Sequence, residues 1–232
     1  MTSPEPIICS LAWWEQLAPL LEVAGVFSAS LVALYGLSTW KKEMKGKRMA
    51  ELAEQVLVSF YEARDVFRWV RTQGFVFNEG ESRPPMQNED VEVSRRRNNY
   101  FIPIERLTRE KALFAKLQAQ RYTFEAFFGF EQSIPFGILA KAHNDILGAA
   151  GELIATAASV SNTPQKNHAL KTIGRGSDAS PDDMQHNIDS AISTMESFCR
   201  PILKGEEPGP APVEPLALKA GPTPEPFKVN RD

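Results

Sequence analysis

The sequence predicts an all-α protein: one N-terminal transmembrane helix that continues into a cytoplasmic antiparallel four-helix bundle, followed by a disordered Pro-rich tail. Three observations predict it. Residues 17–40, LAPLLEVAGVFSASLVALYGLSTW, carry a single charge, Glu22. Four later segments place their apolar residues at threes and fours, the period of one helix face. The stretch from Lys204 onward holds prolines at 208, 210, 212, 215, 222, 224 and 226, with no apolar repeat, and cannot bury a core. The expected division is therefore a short extracytoplasmic segment 1–16, the membrane helix 17–40, the bundle 41–203 with loops at 75–99 and 161–180, and the tail 204–232.

The anchor is the first element to justify. Twenty-four helical residues rise ~36 Å, enough for a hydrocarbon core of about 30 Å. Trp13 and Trp14 precede the run, and Tyr35 and Trp40 close it, where amphipathic rings favour the headgroup level. The leader 1–16 lacks Lys and Arg, unlike a secretory signal peptide. After the run come Lys41, Lys42, Lys45, Lys47 and Arg48 against Glu43. Basic flanks stay inside, so the N-terminus is expected outside and residues 41 onward in the cytoplasm, with the lipid bilayer as first partner. Membrane-interface residues are then Trp13, Trp14, Tyr35, Trp40, Lys41, Lys42 and Lys45. Gly25, Ala29 and Ala33 form a small-residue stripe through which two such helices could associate.

The second helix runs on from the anchor to Gly74. Leu52, Val56, Phe60, Ala63, Phe67 and Val70 alternate by four and three along it, the seam of a coiled-coil-like helix. Glu51, Glu54, Glu62, Asp65, Arg68 and Arg71 fall mostly off that face. Glu43–Lys47 and Asp65–Arg68 sit at pairing distances. Residues 75–99 read as a loop ending in a solvated run, Arg95–Arg97. A third helix is expected from Pro103 to Phe128, and a fourth from a Ser133 cap with Pro135 in its first turn. Gly148, Ala149, Ala150 and Gly151 would let a neighbour pack closely. Ser180-Pro181-Asp182-Asp183 starts the last helix, which ends near Pro201 and Gly205. The expected core is Leu52, Val56, Phe60, Phe67, Leu117, Phe124, Ile146, Leu153, Ile188 and Met195.

The chemistry is sparse. The net charge of −3 gives no general attraction to nucleic acid, and none is expected as a partner. Cys9 and Cys199 offer no zinc spacing, no Glu-x-x-His pair is present, and neither a Walker loop nor an HExxH or GxSxG motif occurs. No cofactor and no metal site is expected. The candidate reactive side chains are Glu110, Arg121, His143 and Asp145, with Glu62 and Asp65 behind them. Glu110 and Arg121 fall on an apolar face three turns apart, and His143 and Asp145 point in different directions on one helix. The function expected is a membrane-tethered interaction or regulatory module without catalysis, binding a protein partner not identifiable from sequence. The alternatives are a small membrane enzyme with its site between helices, or an accessory subunit of a membrane complex.

The segment WKKEMKGKRMAELAEQVLVSFYEARDVFRWVR (40–71), with Asn78 to Arg83 (NEGESR) soon after, resembles a set of uncharacterised bacterial inner-membrane proteins with one N-terminal membrane helix and a helical cytoplasmic domain. The resemblance implies a bacterial inner membrane and brings no functional residues with it.

Overall fold

The structure, a computed structural model, describes residues 12–74, 78–159, 161, 163–176 and 183–206, with backbone alone at 12–27, 29–31, 34 and 38. The described residues are all-helical, in the order α1 (Ala12–Val70), α2 (Val91–Arg109), α3 (Lys111–Phe128), α4 (Phe130–Ala155), α5 (Pro164–Thr172) and α6 (Asp183–Leu203). Two compact units divide the chain, Met1–Glu51 and Leu52–Asp232.

In the first unit α1 exposes Val32, Tyr35, Leu37 and Trp40, and Lys41 through Arg48 are exposed after them. Lys47 Nζ lies 3.2 Å from Glu43 Oε1, the expected pair. Among the described residues no helix is long and apolar enough to cross a membrane. The expected span 17–40 falls largely on side chains outside those residues, as do those of Trp13, Trp14, Gly25 and Ala29. Cys9, the start signal at 180–182 and the tail beyond Glu206 also lie outside them.

The second unit is a helical bundle with a core of rings and aliphatic side chains. All ten expected core residues are buried, and Ala63 and Val70 complete the α1 face. A chain of aromatic contacts orders the helices. Phe67 on α1 meets Phe114 on α3 at 5.5 Å, and Phe60 meets Phe136 on α4 at 4.8 Å, edge to face. Phe124 on α3 touches Phe136 and Phe198 on α6. Glu62 pairs with Lys116 and Phe67 packs on Phe114, so α3 runs antiparallel to α1. Tyr61 donates to Glu196 Oε1 at 2.5 Å and Arg68 to Asp189 at 3.4 Å, so α6 does too. Such ring pairs add ~0.5–1.5 kcal/mol each beyond the area they bury.

Several boundaries differ from the sequence reading. The loop stops at Asp90, not at Asn99: the Asp90 carboxylate accepts from the Glu92 and Val93 N–H groups and caps α2. Pro103 consequently lies inside α2, buried, and the break falls at Glu110. Gly129, at φ 93, separates α3 from α4, a conformation that suits a residue without Cβ. Ser133 does not cap α4 but sits in its first turn, donating to Phe130 O at 2.8 Å. The supposed linker 161–180 contains α5, capped by Thr163 with Pro164 at its first turn. Gly148 and Gly151 meet no neighbour, and within that small-residue run only Ala150 is fully buried. Asp65 pairs with Arg64 instead of Arg68.

The largest departure is buried arginine. Arg106 is 2 % exposed and uses all five of its N–H groups. Its Nε and Nη2 hold the two Glu79 oxygens at 3.1 and 2.6 Å, and the remaining donors reach the carbonyls of Trp69, Thr72 and Gly74. The end of α1 would otherwise leave carbonyls unmet. Arg71, expected off the core face, is also buried, donating to Thr172 O and Lys171 O at 2.9 and 3.1 Å. Gly174, at φ 77, lies so close that a Cβ there would stand 2.1 Å from Arg71 O.

Replacing Glu79 by Ala should strand the Arg106 charge inside the bundle. Removal of one partner of a buried pair costs about 3–5 kcal/mol. Urea unfolding followed by circular dichroism should show a loss of that size. A loss below about 1 kcal/mol would mean that the pair is not a structural anchor.

Candidate functional site

The four candidate reactive side chains occupy separate places. Glu110 forms the joint between α2 and α3, half-buried, with its backbone N–H on Arg106 O at 3.4 Å. Arg121, lower on α3, lies 3.9 Å from Glu125 and 30 % exposed, and its buried Nε has no hydrogen-bond partner. Asp145 pairs with Lys141 one turn away at 2.7 Å on the outer surface of α4. His143 lies against the Phe114 ring, centroids 4.5 Å apart, with Nδ1 a long 3.4 Å from Asn144 Oδ1. No hydrogen bond or ion pair joins any two of the four among the described residues. Glu62 faces Lys116 at 3.7 Å, away from them. No group of three His, Cys, Asp or Glu side chains among the described residues could hold a metal.

One shallow cleft of about 220 Å³ opens between α3 and α4, lined by Phe114, Leu117, Gln118, Phe136, Leu139, Ala140, His143 and Asn144. Its walls are mostly rings and aliphatic carbons, with Gln118, His143 and Asn144 as the polar side chains. A reaction needing a paired acid and base would find His143 there beside the neutral amides of Gln118 and Asn144.

The Arg95–Arg97 run divides between surface and interior. Arg95 and Arg96 turn back on Glu92, at 3.0 and 4.0 Å. Arg97 reaches inward to Glu89 Oε1 at 2.7 Å and to Ile154 O at 3.1 Å. Arg83 binds the other Glu89 oxygen at 2.7 Å and Asn98 at 2.9 Å. Glu89 is thus clamped between two guanidiniums, with its side chain 4 % exposed. The Arg83 hydrogen bond, then burial working against it, then Arg97, set its carboxyl at about 2. Glu105 accepts from the Gly80 N–H at 2.6 Å and from Arg109 at 2.6 Å. Burial pushes its carboxyl up, and these donors outweigh that and hold it low. Arg175, at the end of α5, is pushed down by burial and by the Arg106 charge, against a smaller opposing influence of Tyr100. These groups bind loop to helix, and they are the polar centres that sequence reasoning missed.

The membrane-interface candidates contrast with them. Tyr35 and Trp40 are 77 % and 57 % exposed, and Lys41, Lys42 and Lys45 are exposed beside them. Ala33, of the proposed helix-association stripe, is exposed as well. Cys199 is buried on α6 and burial raises its thiol to about 12. Comparison with protein-family models, curated proteins and solved structures returned no match.

Two outcomes are expected. Glu89 has a folded value below its ordinary 4.5, so its contribution to stability is complete above pH ~4.5 and lost as pH falls toward ~2. Glu89→Gln should flatten the acid limb of a urea-midpoint-against-pH curve in that window and leave its slope near neutrality unchanged. Cys199 should resist a thiol reagent in the native protein and react once urea unfolds it. Rapid modification at neutral pH without denaturant would contradict its burial.

Proposed function

We propose that the chain is a membrane-tethered helical interaction or regulatory module, anchored by residues 17–40 of α1 and presenting an antiparallel four-helix core on the cytoplasmic side of a bacterial inner membrane. The observation that carries the reading is the exposure of Val32, Tyr35, Leu37 and Trp40 on α1. Large apolar side chains in a nearly uncharged run, bare of protein cover, require another apolar surrounding. A bilayer supplies it, and the exposed lysines that follow match the cytoplasmic flank of a membrane helix. Self-association through Gly25, Ala29 and Ala33 would be a second layer of the same anchor.

The enzymatic alternative drew its support from convergence of Glu62, Asp65, Glu110, Arg121, His143 and Asp145. Their separation favours the non-catalytic reading. A protein partner, not a substrate, is then the ligand of the cytoplasmic face.

Full-length protein in bacterial membranes should remain in the pellet through carbonate extraction. Ala29→Arg with Ala33→Arg should shift it to the supernatant or block insertion, because a centrally placed Arg costs ~2.5–3.5 kcal/mol in insertion. A membrane-impermeant maleimide applied to intact spheroplasts should label Cys9. Wild-type protein that is wholly released by carbonate would overturn the anchor, and labelling of Cys9 only after lysis would reverse the orientation.

A further inference from the structure

We infer that the corner where the ends of α1 and α5 meet α2 is a binding site for a phosphate group, received by the guanidinium of Arg175 together with the Tyr100 hydroxyl and the Gly176 N–H. The site lies wholly within the second unit and is independent of the anchor. Arg175 follows the end of α5. Gly174, at φ 77, turns the chain there, and the Arg175 N–H returns to Leu170 O at 2.7 Å. Gln73 Nε2 donates to Gly174 O at 3.2 Å, which ties this turn to the end of α1. Arg175 thus stands half-buried beside the segment whose Thr72 and Gly74 carbonyls are held by Arg106 of α2.

A guanidinium at a helix end ordinarily serves the last carbonyls. Here those are already met. Arg71 donates to Lys171 O and Thr172 O, and the N–H groups of Ile173, Gly174 and Arg175 reach Ala169, Lys171 and Leu170. Both oxygens of Glu79 lie on Arg106. Among the described residues the Arg175 guanidinium meets neither a carboxylate nor a carbonyl, and the Tyr100 hydroxyl and the Gly176 N–H meet no acceptor either. Burial and the nearby Arg106 charge both disfavour the Arg175 cation, and Tyr100 stands close enough to act on it in the opposite sense. The corner therefore holds unspent donors and a cation beside a like charge. An oxyanion answers both. Its charge offsets the repulsion between Arg175 and Arg106, and the guanidinium fork matches two of its oxygens. A phosphate carries three acceptor oxygens and more charge than a carboxylate, which suits a corner with three kinds of donor. Half-burial leaves the fork within reach of solvent.

The test uses the full chain in detergent micelles at constant ionic strength. An arginine-selective dicarbonyl reagent, followed by peptide mapping, should modify Arg175. Millimolar inorganic phosphate should slow that modification at least about threefold, as a bound anion shields the fork. Arg95, exposed and paired with Glu92, should react at an unchanged rate. Glycerol 3-phosphate in a parallel arm separates the sources: stronger protection by the ester supports an organic phosphate, and stronger protection by the free anion supports inorganic phosphate. No protection of Arg175 by either, or equal protection of Arg95, overturns the site. By calorimetry Arg175→Gln should weaken phosphate binding at least about tenfold, the loss expected on removing a charged bidentate donor. Without phosphate the same variant should melt at the wild-type midpoint or above it, because a like charge beside Arg106 has been removed. A lowered midpoint would show that Arg175 already has an acceptor in the chain, a carboxylate beyond the described residues included, and overturns the site. Undiminished binding by Arg175→Gln overturns it as well.

Discussion

The guanidinium of Arg106 is the constraint on which the second unit depends. It draws three carbonyls at the end of α1, both oxygens of Glu79 in the loop, and its own helix α2 into one dry cluster. The Trp69 ring, 5.2 Å from the guanidinium carbon, covers one side. A helix of 59 residues must stop somewhere, and its last carbonyls must find donors. Arg106 gives the stop a fixed address. Arg71, at that same end of α1, repeats the device with the carbonyls of Lys171 and Thr172, so the ends of α1 and α5 are tied through main-chain acceptors. Because these acceptors are backbone, their satisfaction fixes where the chain turns, not only which side chains touch.

A division of labour follows from this. Between Phe60 and Phe67 the helices are held mainly by ring contacts and apolar burial, which carry no titrating group, with Tyr61–Glu196 and Glu62–Lys116 beside them. Beyond Val70 the loop is held by Arg106–Glu79, Arg83–Glu89–Arg97 and Arg109–Glu105. Buried pairs gain little net free energy against their desolvation. They do specify geometry, since a misplaced loop would leave several charges unpaired at once. The polar end of the unit is thus the part most exposed to acid, and the phenylalanine end the part most exposed to loss of packing volume.

What the sequence made legible was the part governed by periodicity. The α1 face from Leu52 to Val70 reads at fours and threes, and every apolar residue on it is buried. The arginine clusters were not legible, because a buried guanidinium and a solvated one are written with the same letter and differ only in what the fold brings near. The start of α2 carried a readable signal, Asp90 ahead of Glu92, which the following Arg and Asn run obscured. Thr163-Pro164 at α5 repeats the cap-plus-proline pattern recognised at Ser180-Pro181, but nine residues give no apolar stripe to confirm it. At the candidate site, helical spacing already separated Glu110 from Arg121 and His143 from Asp145; the partner each would find was not legible. Glu110, Arg121, His143 and Asp145 each meet a different local partner, and helical spacing alone cannot say which neighbouring helix a side chain will find.

The exposed apolar residues complete the physical argument. The second unit already closes its core with Phe60, Phe67, Phe124, Ile146 and their neighbours, all without solvent contact. Val32, Leu37 and Trp40, in the first unit, are exposed, and an exposed apolar side chain on a helix contributes to folding only if something covers it. Under the proposed anchor, the apolar end of the chain and the charged remainder would meet two separate solvents. On that view the bundle is the part that must be specific, and the helix before it is the part that decides where such specificity is exercised.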